Sequence, residues 1–213
     1  MKLADARTLA ETIQWAIAPG CKDVRIAGSI RRLKGEPGDI ELVAVPDQRP
    51  PKPVFGQPNQ FANTLEAILY DLRLGSPDGL CLRLEKGGSL YKQFWVSVDN
   101  GATYLIKLDL FLVTTESFPV QFVIRTGPAE FSHWIVTPRA KGGCMPDGYK
   151  CESGRVICVA TGEPMPFEEE IDFLGFLGLG WIEPYARKAN WGYWRNRPNM
   201  VSPKPVDAPV TAL

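Results

Sequence analysis

Two carboxylates two residues apart, Asp39 and Glu41, follow a run of cations and a Gly28-Ser29 pair. The stretch from Arg25 to Val43 begins as a strand and breaks at Gly28-Ser29. It then passes through a basic, Gly-rich turn and re-enters a strand at the two acids. Successive strand side chains point to opposite faces, so Asp39 and Glu41 share one face while Ile40 and Leu42 enter the core. Two acids side by side repel, and each resists ionising unless a cation lies between them. Paired oxygens on a rigid element, with positive groups just upstream, suit Mg²⁺ bridging a polyphosphate. The Gly28-Ser29 turn offers backbone N–H groups and a hydroxyl to phosphate oxygens. Arg31 or Arg32 adds a planar fork of donors.

The surrounding pattern supplies elements to hold these residues. Leu3, Ala6, Leu9, Ala10, Ile13, Ala16 and Ile17 fall at helical spacing, which predicts a helix over 3–18 stopped by Pro19-Gly20. Strands are expected at 23–28 and 39–45. A Pro-rich loop over 46–60 and a helix over 61–74 follow. Three strand-like runs come next, at 80–85, 90–98 and 102–113, the last two joined by Asp99-Asn100-Gly101, a hairpin signal. Asp109 interrupts the apolar run from Ile106 to Val113. An isolated acid there reads as a strand-end carboxylate; beside Asp39 and Glu41 it becomes a candidate third ligand. Lys107 shares its face and either orients it, steadies a substrate strand or forms a salt bridge. The pattern then predicts a strand over 118–125, a short helix over 129–136, a turn-rich hairpin over 142–162 and a helix over 167–177. The acids Glu168, Glu169 and Glu170 read as a solvated start favoured by the helix dipole. Gly127-Pro128 is a candidate cis bond, because the penalty before proline is only about 0.5–1 kcal/mol.

Composition limits the classes. The 213 residues suit one domain or a domain with a small satellite. Lys+Arg and Asp+Glu are both 24, so whole-chain charge does not advertise nucleic-acid binding. Its distribution matters more: Arg25 to Lys34 and Arg187 to Arg197 each carry four cations and no acid. No apolar run approaches the ~20 residues of a membrane span. The N-terminus does not read as a signal peptide. Five cysteines without a Cys-x-x-Cys pair, and the single His133, read as free thiols in a reducing cytosol rather than a zinc site.

The segment Gly28-Ser29-Ile30-Arg31-Arg32, followed by Asp39-Ile40-Glu41, resembles the nucleotidyltransferase signature in the form carried by the palm of family X DNA polymerases, the DNA polymerase beta group. The resemblance runs from the first helix to Arg187. It implies an α+β fold: a palm with a mixed sheet and two helices over 1–125, a small α+β thumb over 126–187, and a tail over 188–213 that is partly disordered. Asp39, Glu41 and Asp109 become the catalytic, metal-binding acids for two Mg²⁺ ions, with Mn²⁺ an alternative. Gly28, Ser29, Arg32 and Gly38 hold the triphosphate, and Arg31 is structural. Thr126-Gly127 is similar to the turn beside the incoming nucleotide's sugar. The run from Glu168 to Arg187 resembles the end of the thumb.

The implied activity is addition of deoxynucleotides to a primer 3′-hydroxyl in short gaps. The implied partners are a deoxynucleoside triphosphate and gapped or primer-template DNA. The implied setting is a monomer with no membrane, in the cytoplasm of a bacterium or of the host of a phage or virus. Lyase and fingers segments are not recognised, so no lyase activity and a weak grip on DNA are expected. Glu41 stands where these polymerases have Asp. Ile124-Arg125 precedes Thr126-Gly127 where aromatics are usual, and Ala129, Ser132 and Val136 occupy thumb-helix positions that often contact substrate. The alternatives are template-independent transfer or a non-catalytic module of a replication or repair assembly. In the tail, Trp191 is expected to pack, while Trp194, Arg195 and Arg197 either pack or contact nucleic acid.

Overall fold

The computed structural model describes residues 1–49, 61–99 and 101–187. Most of the Pro-rich loop and all of the tail, including Trp191, Trp194, Arg195 and Arg197, lie outside the described residues. The fold is mixed α+β, with a five-stranded mixed sheet, a separate two-stranded hairpin and six α-helices among those residues.

Helix α1 (Leu3–Ile17) carries one apolar stripe, and Ala6, Leu9, Ala10, Ile13 and Ile17 are buried along it. A 3-10 turn at Ala18–Gly20 reverses the chain into β1 (Cys21–Ile26). One helical turn, α2 (Gly28–Arg31), and a loop lead to β2 (Asp39–Pro46). Helix α3 (Thr64–Leu74) starts where the Asn63 side chain accepts the Glu66 N–H, at 3.0 Å. Strands β3 (Cys81–Gly87), β4 (Tyr91–Ser97) and β5 (Tyr104–Leu112) complete the sheet in the order β1-β2-β5-β4-β3. Only β2 and β5 run parallel; the other neighbours are antiparallel.

Alternation divides the sheet into two faces. Ile40, Leu42 and Ala44 of β2 and Leu108, Leu110 and Leu112 of β5 join the buried stripes of α1 and α3 in the main core. The opposite face carries Asp39, Glu41 and Asp109, and farther along Val43, Val45 and Phe111. Those apolar residues meet Ala27, Phe118 and Phe122 in a second, smaller cluster.

Phe118 and Phe122 belong to α4 (Phe118–Thr126), where the sequence predicts a strand. The β-branched run Val-Gln-Phe-Val-Ile favours strand locally, but tertiary packing overrides that preference. Phe118 and Phe122, one turn apart, stack on each other against the sheet, and Val120 and Val123 enter a third core. Pro119 in the first turn and the Thr114–Ser117 hydrogen bonds just before it set the start. The third core is built by α4, α5 (Ala129–Val136), the hairpin β6 (Tyr149–Glu152) and β7 (Arg155–Cys158), and α6 (Glu170–Phe176). Gly127-Pro128 is trans, as are all described peptide bonds. Among the described residues, no helix is long and apolar enough to cross a membrane.

The acidic triplet is not a uniformly solvated start. Glu169 and Asp172 form a capping box, while Glu170 is buried and binds two arginines. Arg31 reaches both its carboxylate oxygens, at 2.8 and 2.5 Å, and Arg187 donates to it at 2.9 Å. Burial alone would raise the Glu170 pKa; the hydrogen bond from Arg31 and the charge of Arg187 more than offset it and hold it below the ordinary value. Removing one partner of a buried pair strands the others. Glu170→Ala is therefore expected to cost about 3–5 kcal/mol in urea denaturation, while the same change at exposed Glu168 stays within about 0.5 kcal/mol.

Candidate active site

Gly28 is required by the way β1 turns into β2. Its φ is +59°, in the left-handed region. A Cβ there would fall 1.7 Å from Oε2 of Glu41, so the acid's carboxylate lies directly against the Gly28 backbone. The Ala27 N–H donates to the Glu41 carbonyl at 2.8 Å, which fixes the turn to β2. Ser29 is buried in the turn, and its hydroxyl has no hydrogen-bond partner. An orphan buried hydroxyl carries a desolvation cost that a bound acceptor would remove.

The parallel pairing brings the third acid in. Glu41 and Asp109 are register partners, and Asp39 pairs with Lys107 two residues back. All three acids therefore lie on one face of two adjacent strands. Burial and the neighbouring acids together raise the pKa values of Asp39 and Glu41. Burial, then the charges of Asp39 and Asp109, push Glu41 up to about 7 despite Arg32 and Arg125. Burial and Asp109 also raise Asp39, with Arg32 and Lys34 opposing.

Asp39 and Glu41 open into a cleft of about 430 Å³ lined also by Ser29, Arg32, Lys34, Gly38 and, from the other side, Arg125, Gly127 and Ser132. Arg32 donates one N–H to the Thr126 carbonyl at 2.6 Å, and burial lowers its pKa. Thr126 itself is fully buried and its hydroxyl accepts from Arg31 at 2.8 Å, so the wall of the cleft at this turn is Gly127. A Cβ on Gly127 would meet the Phe131 ring at 2.5 Å. Of the three α5 positions singled out in the sequence, Ala129 and Ser132 line the cleft and Val136 does not. A larger cavity of about 840 Å³ lies between the end of β5, α4 and the β6–β7 turn. It touches Tyr91 and Arg125 but none of the three acids.

Lys107 forms a salt bridge to Glu85, at 3.1 Å, and sits 4.8 Å from the Trp95 ring. Asp109 is held from β4 instead. Tyr91 donates its hydroxyl and Gln93 its amide to Oδ1, both at 2.7 Å. Sequence reading missed this pair. The available signal was Gln93, a polar residue midway along a strand whose alternation puts Tyr91, Gln93 and Trp95 on one face. Arg125, singled out only as a departure, stacks 3.9 Å from the Phe111 ring centroid with its Nε buried and unpartnered.

Among the described residues, no three His, Cys, Asp or Glu side chains are drawn close enough to hold an ion by themselves. The donor type of the three acids fits Mg²⁺, which takes oxygen ligands and is often held by one or two carboxylates plus substrate phosphates. The partnerless Ser29 hydroxyl beside them fits a phosphate oxygen. The five cysteines are free thiols. In comparisons with known proteins, no family model matches the chain and no curated sequence aligns with it significantly.

Glu41 titrates in a usable window. Its folded pKa is raised, so between about 4.5 and about 7 the folded chain binds more protons than the unfolded one, and stability falls as pH rises through that range. Denaturation in a chelating buffer should show a fall of roughly 2–3 kcal/mol over those values. Glu41→Gln should remove most of it; an unchanged slope in that variant would contradict the assignment.

Proposed function

We propose that the chain is a nucleotidyltransferase of the family X DNA polymerase type. It adds deoxynucleotides from their triphosphates to a primer 3′-hydroxyl in short gaps, in DNA repair. The observation carrying this reading is the register pairing of Glu41 with Asp109, which joins two acids far apart in sequence to Asp39 on one face beside the Ser29 turn. The palm is then residues 1–125 and the thumb 126–187.

Asp39, Glu41 and Asp109 would hold Mg²⁺, or Mn²⁺ in its place, and the ion would supply neutralisation of charge on the reacting oxygens. The chain's own groups do the rest. The Ser29 hydroxyl donates to a phosphate oxygen. The free donors of Arg32 and the Lys34 ammonium neutralise the β- and γ-phosphates, so the pyrophosphate departs on that side. Gly127, without a side chain, lets the nucleotide approach the thumb wall. The primer hydroxyl arrives from the side of Asp109, opposite the phosphate donors, as in-line displacement requires.

Extension of a gapped duplex, compared with a nicked duplex and a single-stranded primer, tests the reading. Template-dependent extension in Mg²⁺ or Mn²⁺ is expected, and Asp109→Ala should lower it by at least about a thousandfold with the fold intact by circular dichroism. Extension of the single strand alone would favour template-independent transfer. Binding of DNA without turnover would favour a non-catalytic module.

A further inference from the structure

Asp109 is tied down by its neighbour strand in a way the other two acids are not. Gln93 is its register partner across β4 and β5, and Tyr91 pairs with Phe111, the next position on the same face. Both side chains donate to Oδ1, and neither donates to Oδ2. An ionised carboxylate only accepts, so it is the Gln93 NH₂ that must face Asp109. That orientation leaves the Gln93 Oε1 buried with no partner. Tyr91 is held in turn by stacking on Phe111, with ring centroids 5.3 Å apart.

The orphaned Oε1 is informative. A buried amide oxygen left unpaired destabilises the fold, and an apolar side chain of the same shape would avoid that cost. Gln93 is therefore a poor choice for stability and a good one for presenting N–H to Asp109. The Tyr91 hydroxyl donates to the same oxygen, at 2.7 Å. We infer that Tyr91 and Gln93 are positioning residues that clamp Asp109 through Oδ1, fixing its rotamer and presenting Oδ2 as the metal-binding oxygen. This rests on the reading of Asp109 as a metal ligand. Outer partners of this kind orient a ligand before the ion arrives, and their loss typically costs ten- to a hundredfold in metal affinity or activity.

The test uses Tyr91→Phe, which keeps the ring, and Gln93→Met, which keeps length and volume. Mn²⁺ binding to the nucleotide-free protein is read by electron paramagnetic resonance, beside kcat and KM on a gapped duplex and the thermal midpoint in chelator. Each variant should weaken Mn²⁺ binding and lower kcat about tenfold, and the double variant about a hundredfold. The nucleotide KM should hold, and the midpoint of Gln93→Met should be unchanged or higher. Wild-type affinity and kcat in both variants would overturn the clamp. So would a loss of affinity that only follows a falling midpoint, because that marks a packing role. If the wild-type chain binds no Mn²⁺ and Asp109→Asn leaves turnover intact, the metal-ligand reading itself fails and takes the clamp with it.

Discussion

The register of β2 against β5 is the constraint on which the site depends. Because side chains alternate, a slip of one residue turns over the strand that slips: β2 would send Asp39 and Glu41 into the main core and expose Ile40 and Leu42, and β5 would send in Asp109 and expose Leu108 and Leu110. Each of those four is fully buried in the observed register. At about 1.5–3 kcal/mol apiece, their burial outweighs the repulsion among three carboxylates on the other face. The sheet thus tolerates an unfavourable cluster of like charge because the alternative is worse. Burial first, and the neighbouring acids second, raise the pKa values of Asp39 and Glu41.

Adjacent arginines do different work for a geometric reason. On the single turn of α2, Arg31 points toward α6 and lies 3.9 Å from the Phe122 ring, where it binds Glu170. Arg32 caps the same turn and faces the cleft. Both also hold Thr126, Arg31 on the hydroxyl and Arg32 on the carbonyl. The end of α4 is thereby fixed to the turn that carries Ser29. Through Glu170 the same contact extends to Arg187, which is wholly buried and ends the described chain. This buried charge cluster ties the Ser29 turn to the Gly127 side of the cleft, beside the apolar cluster that holds Ala27, Phe118 and Phe122.

The strands of the sheet and the face their acids share were legible, because alternation gives the face of each residue. Asp39 and Glu41 announce a shared face, and Asp109 announces itself by breaking an apolar run. Helix α4 was not legible, since Val120, Val123 and Ile124 carry strand preference and the helix exists to bury two faces at once. Glu170 looked like its exposed neighbours in sequence. Only the position of α6 against Arg31, 139 residues away, separates it from Glu168. Tyr91 and Gln93 were missed for a related reason: periodicity gives the face of a strand but not its lateral neighbour, and β4 became the neighbour of Asp109 only once the strand order was fixed.

The cleft holds opposite charges that do not pair with each other. Arg32 spends a donor on a backbone carbonyl, and Arg125 stacks on Phe111 with an unpartnered Nε. Neither forms a salt bridge to Glu41 or Asp39, although both cations lower the Glu41 pKa from a distance. Had these groups paired, each would already hold its counter-charge, and a ligand would first have to break the pairs open. Kept apart by rigid elements, the acids lack a cation, and Ser29, Arg32 and Arg125 lack an anion. A simple cation answers only the first need, and a simple phosphate only the second. A divalent ion carried on a polyphosphate would answer both in one binding event, and this is the physical ground on which the proposed nucleotide substrate rests.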